Sequence, residues 1–173
     1  MKVRRLATAV ALILMATLMV AAPATAAGPV YHFQARITYL NDPGAGTKTP
    51  LPGGRTLLTG GTLTICYEAT EVDPEHDYIS GCWYCTYSEI IQPSGALSTW
   101  GSCPMQDLVN YDGAGGWVHQ FRGEWSPNAT LISLHNTAQG WGDLAGWRMQ
   151  WREIAHRFDL VGRVTDFGFF QAP

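Results

Sequence analysis

The side chains with chemistry to offer here are five histidines, four cysteines and a few strand-borne carboxylates. His119 falls on the same alternating face as Trp117, Phe121 and Trp125, so period-two geometry turns it inward. His135 shares a face with Leu131 and Ser133. An inward imidazole beside an inward carboxylate can act as a general base, and Glu124 and Asp143 are the nearest acids in sequence. The plainer alternative for each is a hydrogen-bonded core histidine. His32 and His156 lie in strands or at their ends, and His76 lies in an acidic turn. No Gly-x-Ser-x-Gly, His-Glu-x-x-His or phosphate-binding loop occurs. No catalytic set is complete, and no cofactor or metal is expected.

Cys66, Cys82, Cys85 and Cys103 form an even set. In an exported chain such a set reads first as disulfides. Residues facing each other in an antiparallel hairpin keep a constant index sum. Cys66 and Cys82 sum to 148, centring a hairpin on Pro74, and Cys85 and Cys103 sum to 188, centring another on Ser94. Both centres fall on turn-forming residues, which favours the pairing 66–82 with 85–103. Two other uses stay open. The C-x-x-C of Cys82-Trp83-Tyr84-Cys85 could join Cys66 and Cys103 in a four-thiolate zinc site, or it could do redox chemistry. Against both, the spacing is loose and the motif sits in a strand-like run.

Seven tryptophans are many for a chain of 173 residues. Aromatics lining a barrel mouth suit an apolar or planar ligand, whereas for most of these rings filling the core is the better reading. Trp141, flanked by Gly140 and Gly142, is the one expected to be exposed. The candidate ligand-binding residues are Trp117, His119, Phe121, Trp125, His135 and Trp141.

The elements that must position these groups are strands. Val30 to Leu40 alternates cleanly, with Tyr31, Phe33, Ala35, Ile37 and Tyr39 on one face. Residues 41–54 read as a long Pro/Gly-rich loop, and Arg55 to Thr59 as a short strand. Thr62 to Glu71, Cys82 to Ile91, Ala96 to Cys103, Trp117 to Trp125, Thr130 to Asn136, Gly146 to Ile154 and Arg157 to Phe167 follow. A turn near Met105 to Val109 is the one hint of a helical period. Short strands at this spacing predict an all-β fold, a sandwich or a barrel, of which the preferred form is a small closed or nearly closed antiparallel barrel of about eight strands. Gly123, Gly146 and Gly162 within strand patterns suit barrel corners.

The N-terminus predicts export. Met1 to Arg5 is basic, Leu6 to Ala22 is apolar, and Ala24-Thr25-Ala26 supplies the small residues of a cleavage site. The expected organisation is a signal peptide over 1–26 and a single barrel domain over 27–173. Lys2, Arg4 and Arg5 leave with the signal, so the remaining 8 basic and 14 acidic residues give a formal charge of −6. That balance excludes the footprint of a nucleic-acid binder. Arg148, Arg152 and Arg157, interleaved with Glu153 and Asp159, read as a salt-laced surface. No later run is long and apolar enough for stable membrane insertion. Asn128-Ala129-Thr130 is a glycosylation sequon, with meaning only in a eukaryotic secretory pathway.

The ordered occurrence of Gly116-Trp117, Gly123-Glu124-Trp125, the run to His135, Gly140 to Gly146 and Gly162-Arg163-Val164 resembles a family pattern. It is similar to secreted bacterial domains of the allene oxide cyclase barrel-like, calycin-type group. The resemblance covers mainly residues 115–165. It implies a small antiparallel barrel with an interior cavity, and it assigns no activity. Trp141 and Trp147 are bulkier than the pattern, and the four cysteines are additional to it.

The leading reading is a secreted barrel that binds a small apolar ligand. A cyclase or isomerase acting in the cavity, with His119 or His135 moving a proton, is the enzymatic alternative. A protein-interaction module using the 41–54 loop and exposed tryptophans is the third. An apolar cavity with a convergent histidine–carboxylate pair would favour the enzyme, and a completely filled barrel would favour interaction.

Overall fold

The computed structural model describes residues 28–127, 131–156 and 164–173. The signal segment 1–26, the sequon 128–130, Arg157, Asp159 and Gly162 lie outside the described residues. The described residues form nine strands: β1 (Val30–Asn41), β2 (Thr47–Leu51), β3 (Arg55–Glu71), β4 (Gly81–Ile91), β5 (Leu97–Leu108), β6 (Gly115–Trp125), β7 (Leu131–Gly142), β8 (Arg148–His156) and β9 (Val164–Gln171). Their order is β1-β9-β8-β7-β6-β5-β4-β3-β2, every pairing is antiparallel, and β1 also pairs with β3. Eight strands thus make a ring, the expected barrel, and β2 lies outside it along β3. Closure removes the unpaired edges that alternating strands would otherwise expose.

β3 carries the largest difference from expectation. Arg55–Thr59 and Thr62–Glu71 are one strand, bent by a register shift between Leu58 and Gly61. Gly60 takes φ +70°, a conformation glycine adopts without steric cost, and the shift is a bulge that lets one strand serve two neighbours. Before the bend β3 pairs with β2, and after it with β1. The 41–54 segment is accordingly not all loop, because Thr47–Leu51 pairs antiparallel with Arg55–Thr59 of β3 as an outer strand. Pro50 is tolerated there since β2 has no partner on its other side.

The helical hint near Met105 is also overturned, because β5 runs on to Leu108 against β4. The β5–β6 ladder stops at the Cys103–His119 pair, and Pro104, which lacks an N–H, follows immediately. Gln106 then bridges the two strands. Its amide donates to the carbonyls of Cys103 and Trp117 at 2.7 Å each and accepts from the Trp117 N–H at 2.9 Å. Gly146 is in the turn between β7 and β8 with φ +89°, not within a strand.

Inside the ring the odd-numbered positions of β4 and β6 meet the even-numbered positions of β7 and β9. Trp83, Trp117, Met149, Trp151 and Phe170 are buried there, and each such side chain contributes roughly 1.5–3 kcal/mol by leaving water. One end of the barrel is closed by aromatic rings. Tyr31 stacks on His76 at 3.8 Å, and Tyr78 packs against Trp147 and Phe170 at 5.3 and 5.5 Å. The connection carrying His76 and Tyr78 is pinned by Asp77, which accepts from the Ser80 N–H at 3.0 Å and from Asn110 at 2.7 Å.

Both expected disulfides are present, Cys66–Cys82 and Cys85–Cys103. Cys66 and Cys82 are direct partners across β3 and β4, and Cys85–Cys103 bridges β4 and β5 at a register shift. Positions 82 and 85 differ by an odd number, so strand alternation puts them on opposite faces. Cys85–Cys103 lies inside the barrel, and Cys66–Cys82 is on the outward side of the wall with Cys82 half-buried. The four sulfurs therefore do not converge on one ion. Two disulfides are compatible with an extracellular or periplasmic location. Among the described residues no helix is long and apolar enough to cross a membrane.

Candidate functional site

The interior polar groups sit at two levels. Midway along the barrel His119 projects from β6 between Trp83 and Trp151, with ring centroids 5.2 and 4.5 Å away. Its Nε2 lies 3.0 Å from Asn136 Oδ1 and its Nδ1 3.0 Å from Cys103 Sγ. Burial lowers its pKa to about 4, against a smaller opposing effect from the Asn136 bond. His119 is therefore a neutral imidazole at ordinary pH, and its single N–H can donate to only one of these two acceptors. The ligand atoms of Cys85, Cys103 and His119 lie within 4.8 Å of one another. With the two sulfurs joined to each other, neither is a thiolate that could bind a metal.

The second level belongs to acids. Glu153 on β8 and Asp166 on β9 are direct cross-strand partners, and both are buried. Tyr67 donates from its phenol to Glu153 Oε2 at 3.3 Å. Burial raises Glu153 to about 7, partly offset by that hydrogen bond. The Tyr67 phenol is itself held well above its ordinary value, first by burial and then by the negative charges of Glu153 and Asp166. Burial makes the charged form of Glu153 costly and favours its protonated form.

Glu153 also lines a cavity of about 80 Å³ toward the end of the barrel opposite the aromatic closure. Its apolar wall includes Ile37, Leu40, Leu63, Ile65, Trp125 and Leu134. Its polar groups are acids and hydroxyls: Asp42, Glu89, Glu153, Tyr87 and Thr99. Tyr87 donates to Asp42 Oδ1 at 2.8 Å, fixing that carboxylate at the rim. The Tyr87 ring lies flat against Gly61, where any Cβ would come within 2.5 Å of it. No lysine, arginine or histidine lines this cavity.

No family model, curated protein or solved structure matches this chain. Its own geometry is what bears on function.

The sequence candidates separate in space. Trp117, His119 and Phe121 point inward together, and Phe121 and Trp125 reach the acid-lined cavity. His135 does not join them. It is exposed on the outer face of β7, because Leu134, Asn136 and Ala138 take the inward positions of that strand. Trp141 is 53% exposed beside the β7–β8 turn, far along the strand from the cavity-lining Leu134. Glu124 is exposed, and Asp143 caps the Ala114 N–H at 2.8 Å, so neither acid meets His119. The carboxylates that do face inward, Glu153 and Asp166, were missed. Their signal was parity: Glu153 follows Met149 and Trp151 at intervals of two, and Asp166 precedes Phe170 by four.

Proposed function

We propose that this protein is a secreted barrel that holds a small apolar ligand in the cavity beside Glu153, with a protonated amine as the ligand's polar end. The observation that carries this reading is the composition of the cavity wall: aliphatic and aromatic side chains plus three carboxyls and no basic group. A buried carboxyl is costly unless something compensates it, and an ammonium donor would. An eight-stranded barrel is just wide enough to be filled by side chains or to hold one small ligand. Drug-sized ligands need roughly 300–1,000 Å³, so a cavity of about 80 Å³ fits only a short branched chain or the tip of a longer one. The basic and apolar start of the chain, the Ala24-Thr25-Ala26 site and the two disulfides support export with cleavage near Ala26. The resemblance to allene oxide cyclase barrel-like, calycin-type domains supports a cavity-bearing barrel.

A second reading rests on Glu153 alone. A carboxyl at the edge of an apolar cavity, titrating near 7, is suited to move a proton on a bound ligand. In that cyclase- or isomerase-like case Glu153 takes the role the sequence suggested for His119 or His135.

Native mass spectrometry of protein purified from its own secretion medium tests the binding reading. A small adduct that is retained by the native chain and lost in Leu134→Trp is the expected result. A bare mass in both, even after incubation with short branched amines, would refute it.

A further inference from the structure

The outer face of the barrel carries a second feature, independent of the cavity. Trp100, Arg122, His135, Arg152 and Phe167 are consecutive cross-strand partners from β5 to β9. They form one row perpendicular to the strands, and all five are exposed, Trp100 by 42% and Phe167 by 59%. Strands lie about 4.8 Å apart, so the two guanidiniums arise roughly 10 Å apart along the row. Exposed large aromatics at both ends of a cationic row are not needed by the fold.

The arginines are not used up by the protein. Of the expected salt-laced group, Arg157 and Asp159 lie outside the described residues, and Glu153 turns inward instead of pairing with Arg152 or Arg148. Among the described residues Arg122 has no ion pair, and Arg152 makes one long contact, Nη2 to Ser133 Oγ at 3.4 Å. Two open depressions, of 720 and 660 Å³, share Trp100, Arg122 and His135. Their remaining walls are mainly hydroxyls and amides, and Glu124 is their one carboxylate.

We propose that this row binds an acidic polysaccharide, a chain of sugars bearing carboxylates. An arginine fork fits a carboxylate in bidentate fashion, which a surface lysine would not do. Trp100 offers a flat apolar face to a sugar ring, and the serines and Gln120 beside the row match sugar hydroxyls. The chain would lie across the strands, with successive acidic sugars reaching Arg122 and Arg152. A nucleic acid fits less well, since two guanidiniums on a chain of net charge −3 neutralise few phosphates. A protein partner would call for a more apolar centre than a row flanked by Ser98, Ser102, Ser133 and Gln120.

Affinity electrophoresis of the 27–173 chain tests this directly, in gels containing polygalacturonate, neutral dextran or single-stranded DNA. Retardation by polygalacturonate alone is expected, weakened about tenfold by Trp100→Ala and by Arg122→Gln. The paired variant Arg122→Gln/Arg152→Gln should abolish it, with a circular dichroism spectrum that matches the native chain. No retardation by polygalacturonate would overturn the proposal. So would equal retardation by DNA, or retardation that Trp100→Ala leaves unchanged, since either would mark attraction by charge alone.

Discussion

Glu153 and Asp166 stand directly opposite one another on β8 and β9, and both carboxyls are turned into the barrel beside Tyr67. The barrel wall here places two acids where a folding pattern alone would place Val or Leu. Replacing a buried ionisable group by an apolar one of similar size is often neutral or stabilising, so stability does not account for the pair. The proposed reason is a ligand or a proton held beside Glu153.

Glu153 and His119 act on stability with opposite signs. Burial raises Glu153 from 4.5 to about 7, so its contribution is full below about 4.5 and is lost as pH rises through about 7. Burial lowers His119 from 6.5 to about 4, so its contribution is present above about 6.5 and is lost as pH falls towards 4. Between about 4.5 and 6.5 the two slopes oppose each other. Urea denaturation across this range should therefore show Glu153→Gln losing stability on acidification and His119→Gln gaining it. Each change should amount to something on the order of 3 kcal/mol over its full window. Identical slopes in the two variants would contradict the assignment.

The two disulfides close loops of similar length, with sequence separations of 16 and 18. Chain entropy alone gives each about 3 kcal/mol. Cys66→Ala/Cys82→Ala should lose about that much. Cys85→Ala/Cys103→Ala should lose more, because its sulfurs are packed inside the barrel against His119. Partial reduction followed by alkylation and mass mapping should open Cys66–Cys82 first, since it faces the outside.

Much of this arrangement could be read from residue spacing. The index sums of 148 and 188 match the observed pairings at Cys66–Cys82 and Thr86–Ser102, and the inward turn of His119 follows from its alternation with Trp117 and Phe121. His135 was misread because Leu131 and Ile132 make the start of β7 apolar on both parities, leaving its inner face ambiguous. β2 was hidden by Pro50 and the surrounding glycines, which mark loops unless a strand has a free edge. Glu153 and Asp166 went unseen because an acid among hydrophobic positions reads as surface. The Arg122–Arg152 row depends on alignment across several strands, and no single window of sequence contains it.

Gly61→Ala should cost about 1–3 kcal/mol, because the added methyl would meet the Tyr87 ring at 2.5 Å. Moving that ring also breaks its bond to Asp42 at the cavity rim. Thermal denaturation reads the first effect and loss of amine binding reads the second.

Trp117 and Trp141 should behave as opposites despite lying in one glycine-rich stretch. Trp117→Ala removes a fully buried ring and should cost about 3–5 kcal/mol. Trp141→Ser changes a ring that is 53% exposed and should stay within about 0.5 kcal/mol. Chemical denaturation of both variants checks the contrast.

The cavity reading is tested most directly by titrating the 27–173 chain with isobutylamine and following the fluorescence of Trp125, which lines the cavity. Saturable binding is predicted, weaker for the isosteric alcohol, at least tenfold weaker in Glu153→Gln and absent in Leu134→Trp. No saturation with the amine, or equal responses from the native chain and Leu134→Trp, would contradict it.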